Sequence, residues 1–101
     1  MPEGSVKSVR VVHNSFRQRF EVETEGQLWV LDYRFKSHRL FLTHTKVPPA
    51  IRGQELAMEL AHAALEYARQ NGMRVTAICP LVREYVNGHP EYRSLLTTTA
   101  A

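Results

Sequence analysis

Three side chains and one turn in this sequence have the chemistry of a reactive site. Cys79 is the only cysteine, ends an apolar run and is followed by Pro80. A thiol there can carry an acyl group as a nucleophile, or sit buried and inert at a strand end, and the sequence assigns it no base. His44 lies in a threonine-rich apolar run, where an imidazole can relay a proton near neutral pH or simply face solvent. His89, in His89-Pro90-Glu91-Tyr92, can contact a ligand or form a structural turn. The turn is Val47-Pro48-Pro49-Ala50-Ile51-Arg52-Gly53-Gln54-Glu55-Leu56-Ala57. A proline pair cannot extend a strand ladder, and a glycine then lets the chain enter a helix. The unpaired N–H groups and positive dipole end of a helix start attract phosphate. An ordinary strand-to-helix connection uses the same residues. The five histidines, at 13, 38, 44, 62 and 89, have no zinc-like spacing, so no metal site is expected. His62 and Glu66 read as an ordinary i,i+4 surface pair, and no Ser-His-Asp or paired-carboxylate pattern is present.

The elements that must position these groups follow from periodicity. Val6 to His13 reads as a first strand. In Phe16 to Glu23, Phe16, Phe20 and Val22 alternate with Arg17, Arg19, Glu21 and Glu23, the period of a half-buried strand. Glu25-Gly26 supplies a hairpin turn. Leu28 to Phe35 alternates Trp29, Leu31, Tyr33 and Phe35 against Leu28, Val30, Asp32 and Arg34; Lys36 to Arg39 turns, and Leu40 to Val47 is a fourth strand. Leu56, Ala57, Leu60, Ala61, Ala64, Leu65 and Ala68 recur at three and four, which predicts a helix from about Gln54 to Asn71 with a narrow, alanine-lined core stripe. Glu55, Glu59, His62, Glu66 and Arg69 fall opposite that stripe. Asn71-Gly72 ends the helix. Arg74 to Ile78 is a fifth strand, and a crossover of this length makes it parallel to the fourth. Leu81 to Asn87 forms a short second helix, His89 to Tyr92 a last turn, and 97–101 a frayed tail. The expected fold is α+β: an antiparallel four-strand meander, a helix, a parallel fifth strand and a short C-terminal helix, in the order β-β-β-β-α-β-α. No repeat or linker divides it, so one domain over 1–101 is expected, with loose ends at about 1–5 and 97–101.

Composition bounds the partners. With 44% hydrophobic and 23% charged residues the chain has the balance of a globular protein, and no run approaches the ~18 apolar residues of a membrane span. The first residues lack a signal-peptide pattern. One cysteine forms no internal disulfide, which points to a reducing, cytoplasmic setting. The net charge of +3 is uneven, with nine Lys/Arg against five Asp/Glu in residues 1–52. Ten of the thirteen basic residues are arginine, suited to phosphate. They alternate with acids along strands, so a solvated sheet face explains them and nucleic acid is not the expected partner.

Three stretches resemble the acyl-CoA-binding half of GCN5-related N-acetyltransferases, and more narrowly their miniature single-domain members: Thr43-His44-Thr45-Lys46-Val47-Pro48, Arg52-Gly53-Gln54-Glu55-Leu56-Ala57, and Cys79-Pro80-Leu81-Val82-Arg83-Glu84-Tyr85-Val86 followed by His89-Pro90-Glu91-Tyr92. The resemblance runs from about Val9 to Leu96. It implies that coenzyme A is held by the backbone from Arg52 to Ala57 at its pyrophosphate. It also implies that the pantetheine arm lies between a splayed fourth and fifth strand, paired with the backbone from Thr45 to Val47. The acetyl group would then sit near Cys79, and a primary amine would attack the thioester directly. Tyr85, six residues past Cys79, matches a tyrosine that protonates the departing thiolate in related enzymes; on the residues alone it is equally a packing aromatic. Cys79, Tyr85 and His44 are thus the candidate catalytic residues. Thr45, Lys46, Val47, Arg52, Gly53, Gln54, Glu55, Leu56, Ala57, Cys79 and Tyr85 are the candidate contacts of acetyl-CoA or CoA.

The chain departs from the family pattern at Ala50, where Gln or Arg is usual, and at Glu55, which replaces the second glycine. A carboxylate there implies weakened CoA binding. The expected function is a small acetyl-CoA-dependent N-acetyltransferase; the alternatives are a catalytically silent CoA-binding module and a small basic nucleic-acid-binding domain. The acceptor amine is not legible, and a monomer or weakly associating dimer is expected.

Overall fold

The computed structural model describes residues 10–24, 26–47 and 53–96. Its elements are β1 (Val12–Asn14), β2 (Arg19–Thr24), β3 (Gln27–Lys36), β4 (Arg39–Lys46), α1 (Gly53–Gln70), β5 (Arg74–Ala77), α2 (Pro80–Gly88) and a 3-10 helix (Pro90–Leu95). The strands form one sheet in the order β1-β2-β3-β4-β5. The first four are joined antiparallel, and β5 runs parallel to β4. The expected α+β architecture is the observed one.

The sheet's inner face is built by alternation. Phe20 and Val22 of β2, Trp29, Leu31 and Tyr33 of β3, and Leu40 and Leu42 of β4 are all buried, and α1 lays its stripe against them. All seven stripe residues from Leu56 to Ala68 are buried, and the four alanines among them let the helix axis approach the sheet closely. Burial of this apolar surface is the main stabilising term, at roughly 25 cal/mol per Å². α1 stops at a Schellman cap: Met73 N–H donates to the Ala68 carbonyl at 2.9 Å and Gly72 N–H to Arg69 at 3.4 Å, with Gly72 at φ 65°.

Two boundaries differ from expectation. The first strand is short, Val12–Asn14, and the earlier part of the predicted Val6–His13 strand lies outside the described residues. Phe16 does not join Phe20 and Val22 on the buried face. It stands in the turn between β1 and β2 at 93% exposure, because Asn14 pairs with Arg19 and the four residues between them are used to reverse the chain. Gln18 takes φ 56° there, and its N–H closes the turn on the Ser15 carbonyl at 3.2 Å. The Lys36–Arg39 turn forms as predicted, with Ser37 and His38 both left-handed (φ 54° and 62°), the pair of conformations that matches the twist of a two-residue hairpin.

Candidate functional site

The site begins with one extra residue in β4. Asp32 pairs with His44 and Tyr33 with Leu42, so Thr43 has no partner of its own on β3 and forms a β-bulge. Its hydroxyl donates to the Asp32 carbonyl at 3.2 Å. An unpaired residue inverts which side chains face the core beyond it. Thr45, rather than His44, therefore shares the inner face with its partner Leu31. The bulge lies next to the point where β4 and β5 cease to pair. The parallel pairing ends at Leu42–Ala77, after which the N–H groups of both Ile78 and Cys79 converge on the Leu42 carbonyl at 3.0 and 2.9 Å. Beyond that point β4 runs on to Lys46, while the chain from β5 turns into α2.

A groove of about 480 Å³ opens where the two strands part, with His44, Thr45, Val47, Ala57, Cys79 and Leu81 among its walls. Cys79 is 3% exposed and stands as the N-cap of α2, where Pro80 occupies the first helical position, which needs no donor. Its carbonyl accepts from the Val82 and Arg83 N–H groups at 3.1 and 3.2 Å. Its thiol meets the Thr45 hydroxyl at 3.0 Å. A hydroxyl is not a base, so this geometry favours the inert reading of Cys79 over the nucleophilic one.

A second recess, about 570 Å³, lies between α1 and α2 and adjoins the first at Glu84, which lines both. Tyr85 faces this recess and not the Thr45–Cys79 groove. It is 8% exposed, and its hydroxyl lies 3.0 Å from His62 Nδ1. The same nitrogen lies 3.2 Å from the Tyr92 hydroxyl, which donates to Glu66 Oε2 at 2.5 Å. Arg69 holds the other oxygen of Glu66 at 2.6 Å. Together the Arg69 guanidinium and the Tyr92 hydroxyl hold the Glu66 carboxyl down to about 2, so it is an acceptor at every ordinary pH. Burial, followed by the Glu66 bond, pushes the Tyr92 hydroxyl up. Burial also raises that of Tyr85, and the carboxylates of Glu59, Glu91 and Glu66 add to the shift. His62 and Glu66 are thus not an ordinary surface pair: each turns toward the tyrosines of α2 and the 3-10 helix.

His89 has a structural place in the fold and also lines the recess. Its ring stacks on Tyr85, with centroids 4.0 Å apart and planes 14° apart, and Nδ1 donates to the Tyr85 carbonyl at 2.9 Å. Its N–H closes α2 on the Val86 carbonyl. His44 is exposed on the groove rim, and Lys46 and Val47 extend the open end of β4. Gly53 and Gln54 open α1, followed by exposed Glu55 and buried Leu56 and Ala57. Arg52 and Ala50 lie outside the described residues. The groove therefore gathers His44, Thr45, Val47, Ala57 and Cys79, while Tyr85 and Glu55 belong to the neighbouring recess. Sequence reasoning missed His62, Glu66 and Tyr92 as a connected group. Its local trace was the i,i+4 spacing of His62 and Glu66, which reads as a surface pair. Among the described residues no group of three or more His, Cys, Asp or Glu can hold a metal ion, and no helix is long and apolar enough to cross a membrane.

Comparison with known proteins bears on this architecture. The profile of the GCN5-related N-acetyl-transferase family matches residues 19–95. Protein NATD1 of Danio rerio is 33% identical over 89 residues, 83% of this chain and 81% of that protein. Protein NATD1 of Homo sapiens is 34% identical over 85 residues, 81% of this chain and 75% of that protein. A GCN5-like protein from Staphylococcus aureus, solved in solution by NMR, superposes with a TM-score of 0.67 over 87% of each chain at 22% identity, a likeness of fold. The bulged fourth strand, the parted groove and a family match that spans β2 to the 3-10 helix lead to one conclusion: the chain belongs to the GCN5-related N-acetyltransferase family.

Proposed function

We propose that this protein is an acetyl-CoA-dependent N-acetyltransferase that transfers the acetyl group directly to a primary amine. The observation that carries this reading is the parting of β4 from β5 at Leu42–Ala77. It leaves an open, largely apolar groove with the unpaired edge of β4 along one wall. Such a groove suits the pantetheine arm, whose amides can pair with a strand edge while its methylenes lie against Val47, Ala57 and Leu81. The start of α1 at Gly53 comes next in the chain, where its free N–H groups suit the pyrophosphate. Glu55 in that first turn opposes the phosphates and weakens the contact. When bound, acetyl-CoA supplies the activated acyl carbon. The chain's own residues align it, and Tyr85, in the recess that adjoins the groove at Glu84, is assigned the proton for the departing sulfur.

Calorimetric titration with CoA tests the reading. Wild-type protein should bind, more weakly as salt rises. Gly53→Val should lose binding while remaining folded by circular dichroism, because a β-branched side chain crowds the backbone's approach to phosphate. Equal CoA affinity in folded Gly53→Val protein would sink the assignment of the phosphates to this turn.

A further inference from the structure

We propose that His62, whose Nδ1 meets the hydroxyls of both Tyr85 and Tyr92, is a positioning residue that aims the Tyr85 proton into the recess between α1 and α2. The inference rests on the N-acetyltransferase reading above and adds to it a group from α1 that no motif marks. It follows from counting protons. Tyr92 has a single hydroxyl proton, and Glu66, ionised and paired with Arg69, can only accept it. The Tyr92 oxygen, 3.2 Å from His62 Nδ1, is then left as an acceptor toward the imidazole. A bare Nδ1 would set two lone pairs against each other, so Nδ1 carries a proton. That N–H also faces the Tyr85 oxygen at 3.0 Å. Tyr85 therefore accepts from His62 and keeps its own proton free to point elsewhere. The Tyr85 ring is flanked by the rings of His62, Tyr92 and His89 and lines the recess, so the recess is the side toward which its proton is free to turn.

Two consequences follow for transfer. An N–H donor on the Tyr85 oxygen favours the ionised form, and so offsets the upward push from burial and from the carboxylates of Glu59 and Glu66 on α1 and Glu91 on the 3-10 helix. Where the recess meets the groove beside Glu84, a hydroxyl held this way gives its proton to the departing sulfur as the carbon–sulfur bond breaks and the electron pair moves to sulfur. The tyrosinate oxygen, still held by the His62 N–H, then regains a proton from solvent in the recess, the proton the amine gave up. No imidazolate forms, and the charges balance. Glu66 and Tyr92 act only by keeping Nδ1 protonated.

The test pairs a titration of the free protein with kinetics. Tyrosine-labelled protein is titrated by carbon-13 NMR, and CoA release from acetyl-CoA is followed with a panel of primary amines. In His62→Leu the Tyr85 phenol should ionise at higher pH, and kcat should fall about tenfold, with CoA affinity changed less than twofold. His62→Gln, which keeps an N–H donor, should recover most of the loss. Tyr92→Phe, a milder change should His62→Leu fail to fold, should move the Tyr85 titration in the same direction. The descending alkaline limb of kcat should shift upward with it. An unchanged Tyr85 titration in folded His62→Leu and Tyr92→Phe, or full kcat in both, would overturn the inference while leaving the transferase reading intact. If wild-type protein releases no CoA with any amine, the transferase reading fails and the role of His62 in transfer fails with it, whatever the titration shows.

Discussion

At the scale of single residues, the outcome depends on which partner each reactive group meets. Cys79 could have been a nucleophile by type and position. What it meets is the hydroxyl of Thr45, which cannot take its proton, and it is nearly buried. Cys79→Ala should therefore retain activity within several-fold, and wild-type protein incubated with acetyl-CoA alone should show no added acetyl mass by intact mass spectrometry. A stable acetyl adduct on Cys79 that passes its acetyl group to amine would establish a covalent route instead. Tyr85 was readable as an acid or as a packing aromatic, and the acid role is the one proposed above. Its ring is buried in the core of α2, and its hydroxyl ends a chain that runs through His62 and Tyr92 to Glu66.

At the scale of elements, the strand–helix unit from β4 to α2 does the positioning, and its boundaries come from local chemistry. Pro80 starts α2 without wasting a donor, and Gly72 ends α1 in the left-handed region that side chains resist. A Cβ added at Gly72 would meet nothing within 4 Å, so the cost of Gly72→Ala is conformational alone. It should be about 1 kcal/mol, read as a lower urea midpoint with an unchanged slope. CoA affinity should stay unchanged, since the cap lies at the far end of α1 from Gly53. The bulge at Thr43 has the opposite character: it contributes little to the core and decides which side chain of β4 reaches the groove.

At the scale of the whole molecule, the edge of the sheet carries a pH-sensitive cluster remote from the groove. His13 of β1 stacks on Phe20 with centroids 4.4 Å apart, meets Tyr67 of α1 edge-on, and bonds through Nε2 to the Tyr33 hydroxyl at 2.5 Å. Burial lowers its folded-state pKa below the ordinary 6.5. The native state then binds fewer protons than the unfolded state between those two values, so stability rises with pH across that window. The contribution is complete above 6.5 and is lost as pH falls through the depressed value. The melting temperature should drop between neutral and mildly acidic pH, and His13→Phe should flatten that part of the profile. A profile equally steep in the variant would assign the effect to another group. Glu66 acts from its ordinary 4.5 down to about 2.

The sequence by itself determined the elements, their order and the family, because each rests on short-range information. Alternation marks a strand, three-four spacing marks α1, and the punctuation of Gly72, Pro80 and Gly88 marks the ends. Even here a local pattern misled where the chain had another use for it. Phe16 fits the alternation of β2, but the residues around it are needed to close the hairpin, and hairpin closure outweighs the burial of one ring. Only the tertiary structure decided which functional groups meet. Thr45 faces Cys79 because a bulge shifts the register by one residue, and nothing in the composition of Thr43 announces a bulge. His62, Tyr85, Tyr92 and Glu66 converge from α1, α2 and the 3-10 helix across separations of 23 to 30 residues. Their contact is set by how the helices pack on the sheet, a property of three-dimensional burial that no spacing along the chain encodes.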